Sequence, residues 1–253
     1  MKLTILGSGT CVPYANRGSS GYMLELSNSK ILLDCGSGST WKLAGLGINY
    51  LMIDHILLSH LHPDHTGDLV PFLFATKYAY GSPYGSYREK PLYLWGGEGF
   101  INFFNTLRVA YKDWIVPEAL NVNELEESTK EFNDFTLTSV RTPHIEGSMA
   151  FRIEAEGKSI VYSGDTDYSD SFIELCADTD VLLIECALAS DESTLEGHLT
   201  PSKVIEIVNM SKAKKVVVTH LYPRCDQEKV VERIRANVGV EVIEAQDLLE
   251  IEI

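Results

Sequence analysis

The segment SHLHPDHTGDL at 59–69 restricts what this chain can fold into more than any other stretch. His60, His62, Asp64 and His65 fall within six positions at the end of a β-type run, a density of ligand-type side chains that a packed core does not tolerate unpaired. On an extended loop leaving a strand, residues two apart point the same way, so His60 and His62 are placed to clasp one cation. Asp64 and His65 follow one turn later, as Thr66 and Gly67 lead into a helix, and face a second. The competing reading is an exposed loop that happens to be rich in histidine.

Other candidate ligands stand where strands end. His144 follows FTLTSVRTP, Asp165 ends SIVYSGD and His220 ends KVVVTH. Each alone reads as a turn residue or cap; beside the histidine-rich loop the three read as its partners. Short β-type runs recur at 3–6, 22–26, 30–34, 55–59, 91–95, 135–140, 149–155, 159–164, 181–186, 215–220, 240–245 and 248–253, with helix-like stretches at 66–79, 98–111, 201–211 and 226–237. Thr200 and Pro201 supply an N-cap and a first helical residue for the third of these. Twelve strands with helices interspersed predict an α/β fold, an αββα sandwich of two packed mixed β-sheets with helices on the outer faces. No linker tract or fixed-period repeat breaks the chain, so 1–253 reads as one domain. The Tyr- and Gly-rich segment 78–95 stands apart as a surface loop or lid, or equally as a packed aromatic corner.

Composition excludes several classes. A hydrophobic content of 45% rules out disorder. Apolar runs such as VLLIECALA at 181–189 stop well short of the roughly 20 residues of a membrane span, and MKLTILGSGT carries no export signal. The expected location is therefore cytoplasmic. Cys11, Cys35, Cys176, Cys186 and Cys225 are scattered and read as mostly buried, reduced thiols. The whole net charge of −15 lies in residues 121–253, where 12 Lys/Arg face 27 Asp/Glu. A polyanion such as tRNA is repelled by that half unless metal ions or a basic patch intervene.

With these residues in view, the sequence resembles the metallo-β-lactamase superfamily of dinuclear metal hydrolases. LGSGTCVPYANRGSSGYMLEL and LLDCGSGST at 33–40 are similar to the ribonuclease Z-like branch. The resemblance implies that His60, His62 and His144 bind one zinc ion, that Asp64, His65 and His220 bind the other, and that Asp165 bridges them. Neutral imidazoles and carboxylates suit zinc, and manganese or iron could use the same ligands. Asp34 in DCGSG reads as a turn-stabilising carboxylate, with orientation of a ligand histidine as the alternative. In GHLTP at 197–201, His198 matches a Gly-His-x-Thr motif of the branch, which implies a histidine near the scissile phosphate, tuned by Glu185. Asp64, His198 and Glu185 are thus the candidate catalytic residues. Glu185-Cys186-Ala187 stands where the branch carries Glu-Ala-Thr, which opens the role of Glu185 to question. The long arm that tRNA-processing members carry between the positions of His144 and Asp165 has no room in the twenty residues available here.

The expected function is a dinuclear phosphodiesterase acting on a small phosphodiester, with tRNA 3′ processing ranked lower. Alternatives are a thioester or lactone hydrolase resembling glyoxalase II and a non-catalytic, metal-stabilised binding protein. The resemblance also suggests a homodimer.

Overall fold

The computed structural model describes residues 1–85, 87–193 and 195–253. Its first sheet is built from β1 (Lys2–Gly7), β2 (Gly21–Glu25), β3 (Lys30–Cys35), β4 (His55–Leu57), β5 (Leu92–Gly96) and β6 (Leu120–Glu124). The second holds β7 (Ser128–Glu131), β8 (Thr136–Arg141), β9 (Met149–Ala155), β10 (Lys158–Tyr162), β11 (Val181–Glu185), β12 (Lys215–Thr219) and β13 (Glu241–Glu244). The last strand, β14 (Glu250–Glu252), crosses back to pair with β1, giving two seven-stranded sheets. Each sheet is mixed in the same way. Pairing is antiparallel from β14 through β3 and from β7 through β10, then parallel from β3 to β6 and from β10 to β13.

Alternation along each strand explains why two sheets stack. Leu3, Ile5, Tyr22, Leu24, Ile31, Leu33, Ile160, Tyr162, Val181, Leu183 and Val217 meet in one core between the sheets. Their neighbours on the opposite faces, Met23, Leu32 and Ile56 on one sheet and Val161, Leu182, Ile184, Val216 and Val218 on the other, form two further cores against helices. Strands buried on both faces read as continuous apolar runs, as KVVVT and VLLIE do. The outer layers are α1 (Ser39–Gly45), α2 (Pro63–Thr66), α3 (Leu69–Lys77) and α4 (Phe100–Tyr111) on the first sheet, and α5 (Asp170–Leu175), α6 (Pro201–Ser211), α7 (Pro223–Gln227) and α8 (Val230–Asn237) on the second. The αββα arrangement expected from the sequence is the one observed.

Two strands escaped the sequence reading, β6 (LNVNE) and β7 (STKE). Both are sheet edges, where one side of the ladder faces solvent and polar residues replace the apolar pattern. Segment 78–95 contains residue 86, which lies outside the described residues. Around it, Arg88 donates to the carbonyls of Ile53, Lys90 and Pro91, and Tyr84 packs edge-on against Tyr50. Those anchors sit at the start of β4, the end opposite the one that carries His60. No helix among the described residues is long and apolar enough to cross a membrane.

Candidate metal centre

Parallel strands deliver their C-terminal ends to one rim, and the loops that leave them there carry the polar side chains. His60, His62, Asp64 and His65 follow β4, with Pro63 opening α2. His144 follows β8, Asp165 follows β10 and His220 directly follows β12 in the left-handed region, φ 54°. Six of the seven histidines of the chain reach this rim.

The inward-facing atoms divide into two groups. His60 Nε2 lies 3.0 Å from His62 Nδ1, His144 Nε2 lies 3.2 Å from the same atom, and Asp165 Oδ2 is 3.7 and 3.8 Å from the His60 and His144 nitrogens. On the other side His65 Nε2 is 3.8 Å from Asp64 Oδ2 and 3.4 Å from Asp165 Oδ1, and His220 Nε2 is 3.3 Å from Asp165 Oδ2. Asp165 is common to both groups. A tetrahedral ion with bonds of about 2.0–2.2 Å spaces its donors about 3.3–3.6 Å apart, so these separations suit cations at the centre of each group. Two buried atoms here, His65 Nε2 and Asp165 Oδ1, have no hydrogen-bond partner. Such orphaned groups are costly unless something binds them, and a cation satisfies both. The residues present therefore fit the metal the family implies.

The outer nitrogens are held by the protein. His65 Nδ1 bonds to Asp34 Oδ2 at 2.7 Å, His220 Nδ1 to Ser20 Oγ at 2.9 Å, His144 Nδ1 to the Gly197 carbonyl at 2.8 Å, and His60 Nδ1 to Ser59 Oγ at 3.1 Å. Each bond orients a ring so that Nε2 faces the cluster, the usual support of a metal-binding imidazole. Burial pushes His60, His62, His144 and His220 below the ordinary histidine range, which keeps them in the neutral, ligating form. Burial also works against charge on His65, but Asp165 and Asp34 outweigh it and raise that group. Asp165 is held well below the carboxylate range, since His220, His65 and His60 overcome the burial that would raise it.

Asp34 is more than a turn carboxylate. Fully buried at φ 55°, it accepts Ser59 N and Ser59 Oγ at 2.7 Å, Tyr162 Oη at 2.5 Å and the His65 ring. The turn reading preferred from the sequence gives way to the orienting one. Nothing in the sequence marks Ser20, Ser59 or Gly197 as partners of the histidines, because each contact joins separate loops or neighbours whose register only the fold sets.

Beside the cluster, His198 Nδ1 contacts Glu185 Oε1 at 2.9 Å. Glu185 is fully buried and also accepts the backbone N–H groups of Thr166, Ala187 and Leu199 at 2.9, 3.0 and 3.2 Å. The departure at Cys186-Ala187 leaves this intact, because Ala187 contributes only its backbone. Burial disfavours charge on His198, yet its bond to Glu185 raises it to about 9. His198 lies 4.8 Å from His144 and 5.9 Å from His220, ring centre to ring centre.

The Anti-Pycsar protein Apyc1 family matches residues 1–238. The chain belongs to this family. Among curated relatives, the Apyc1-family chain is 32% identical over 222 residues to the probable metallo-hydrolase YhfI of Bacillus subtilis, covering 87% of each. It is also 23% identical to the ribonuclease Z of Methanothermobacter thermautotrophicus, over 306 residues that cover 100% of this chain and 97% of the relative. The crystal structure of Bacillus subtilis YhfI superimposes with a TM-score of 0.84 at 26% identity, covering 99% of this chain and 98% of the other. The human short-form tRNase Z shares the fold, with a TM-score of 0.80 at 24% identity over 100% and 99%. The protein is thus a ribonuclease Z-like, metallo-β-lactamase-fold, metal-dependent hydrolase that uses divalent metal ions. Kinship with hydrolases leaves the non-catalytic binding protein without support.

Proposed function

We propose that the protein is a dinuclear phosphodiesterase acting on small phosphodiesters, with His60, His62 and His144 holding one ion, Asp64, His65 and His220 the other, and Asp165 shared. The observation that carries this reading is the division of seven inward-facing donors into two groups around Asp165, with a charged histidine alongside. Zinc suits these ligands best, and manganese or iron would be accepted by the same donors. When bound, such ions lower the pKa of water from 15.7 to roughly 7 and act as Lewis acids toward the substrate. His198, charged and hydrogen-bonded to Glu185, serves as a donor from its Nε2 to a phosphoryl oxygen or leaving group. Glu185 keeps the proton on that ring.

The preference for a small substrate rests on the short span between His144 and Asp165. The β9–β10 connection is a turn at Glu156-Gly157, so the segment from His144 to Asp165 holds no projecting arm. A cytoplasmic location accords with five free cysteines, four of them buried. The relationship to ribonuclease Z keeps tRNA 3′ processing as a second reading.

Elemental analysis of protein purified without chelator should give two metal ions per chain; a stoichiometry near one with full activity would contradict the assignment. At fixed salt, kcat/KM on small phosphodiesters, cyclic nucleotides among them, should exceed that on pre-tRNA. Efficient, site-selective trimming of tRNA 3′ ends would favour the second reading instead.

A further inference from the structure

Asp167 stands two residues beyond Asp165 and holds the surroundings of His144 from two directions. Its backbone N–H donates to the Pro143 carbonyl at 2.9 Å, fixing the chain just before His144. Its carboxylate accepts Gly197 N at 3.2 Å, Tyr168 N at 2.6 Å and Lys203 Nζ at 2.5 Å. Gly197 then turns its own carbonyl to His144 Nδ1 at 2.8 Å. A carbonyl can only accept, so the ring must carry its proton on Nδ1 and leave the Nε2 lone pair facing His62 and Asp165. Any other residue at Gly197 is strained: φ is 83°, and a Cβ there would stand 3.0 Å from His144 Nδ1.

Lys203 lies in the first turn of α6, where the helix dipole disfavours a cation. Its ion pair with Asp167 offsets that placement. The peptide that follows Gly197 carries His198, whose ring Glu185 holds. One carboxylate thus reaches, through a single glycine, both a candidate metal ligand and the candidate donor to substrate.

We propose that Asp167, clamped by Lys203, is a positioning residue that sets the tautomer of His144 and the seat of His198 through Gly197. The inference rests on the reading of His144 as a ligand and of His198 as a donor. Without Asp167 the Gly197 peptide can rotate, and the His144 ring can adopt the Nε2–H tautomer, which has no inward lone pair.

Asp167→Ala and the conservative Asp167→Asn, which keeps an oxygen for Gly197 N, test this in the full-length, metal-loaded protein. In the parent labelled with ¹⁵N-histidine, the His144 Nδ1–H proton should be visible and slow to exchange. In the alanine variant that exchange should quicken and zinc affinity should fall, each about tenfold or more, with kcat lowered more than KM is raised. The asparagine variant should recover part of every effect; should alanine prevent folding, asparagine alone decides. If a folded variant keeps the slow Nδ1–H signal and zinc affinity within about twofold of the parent, the proposal is overturned. If the parent itself binds no zinc, the metal-centre reading fails, while the exchange of the His144 proton still decides the role of Asp167.

Discussion

His198 and His55 show how one residue type serves opposite purposes in different surroundings. His198 is kept charged by Glu185, and although its ring comes within reach of Asp165 and His220, the two proposed ligand groups are complete without it. His198→Ala should leave metal content unchanged and lower kcat by about 10²–10⁴-fold on a substrate with a poor leaving group, with little change in KM. Near-normal turnover would show that the ring only precedes a helix cap. His55 starts β4 inside an aromatic box of Tyr93, Trp95, Phe132 and Phe135, and accepts Trp95 Nε1 at 3.1 Å. Burial lowers it from 6.5 to about 4. The folded state therefore keeps His55 neutral across that interval while the unfolded chain takes up a proton. Stability is fully present above pH 6.5 and declines as pH falls toward 4, by roughly 3 kcal/mol in all. Urea denaturation of the parent and of His55→Phe between pH 7 and 4 should show a flatter profile in the variant. Parallel profiles would refute the assignment.

At the scale of elements, α6 is the piece whose sequence and position agree most closely. Thr200 caps it, accepting Lys203 N at 3.4 Å, and Pro201 occupies the first helical position. Val204, Ile207 and Val208 bury one face against the second sheet. The same helix start carries the chain away from His198, so its cap also fixes where the GHLTP loop ends. Thr200→Ala should cost about 1 kcal/mol, which for a chain of this size lowers Tm by roughly 2–4 °C. Thermal melts with and without metal check this, and a loss independent of metal content is expected. Helices and strands with a full apolar pattern were legible in this way. β6 and β7 were not, because an edge strand is specified by the strand it pairs with more than by its own side chains.

On the scale of the whole molecule, the proposed metal centre joins the two sheets. His60, His62, Asp64 and His65 come from the loop after β4 in the first sheet, whereas His144, Asp165 and His220 follow strands of the second. Ions bound there would tie one half of the chain to the other and stabilise the folded state alone. At a free metal concentration near 100 times Kd the linkage amounts to about 2.7 kcal/mol per site. Stripping with a chelator should therefore lower Tm by on the order of 5–10 °C per site, and adding zinc should restore it. An unchanged melt after metal is shown to be lost would place the site on a scaffold that stands without it. The homodimer suggested by the resemblance has a surface available, since Phe74, Tyr78, Val109 and Trp114 are all exposed on the helical layer of the first sheet. Light scattering of the purified chain decides it.

The chain itself determined the layers and the chemistry. Period-two alternation with apolar residues on both faces demands sheets covered on each side, and a hexapeptide holding His60, His62, Asp64 and His65 demands a cation or an exposed loop. Tertiary structure decided how those groups are supported. Ser20 meets His220 across 200 positions of sequence and Tyr162 meets Asp34 across 128, because β2 and β3 of one sheet stack against β10 and β12 of the other. Hydrogen bonds of this kind leave no local pattern, since a serine, tyrosine or glycine at a strand end is ordinary until packing sets an imidazole against it. His55 opens β4 and His60 follows its end five residues on, and only the direction in which β4 runs puts one in an aromatic box and the other at the proposed metal centre.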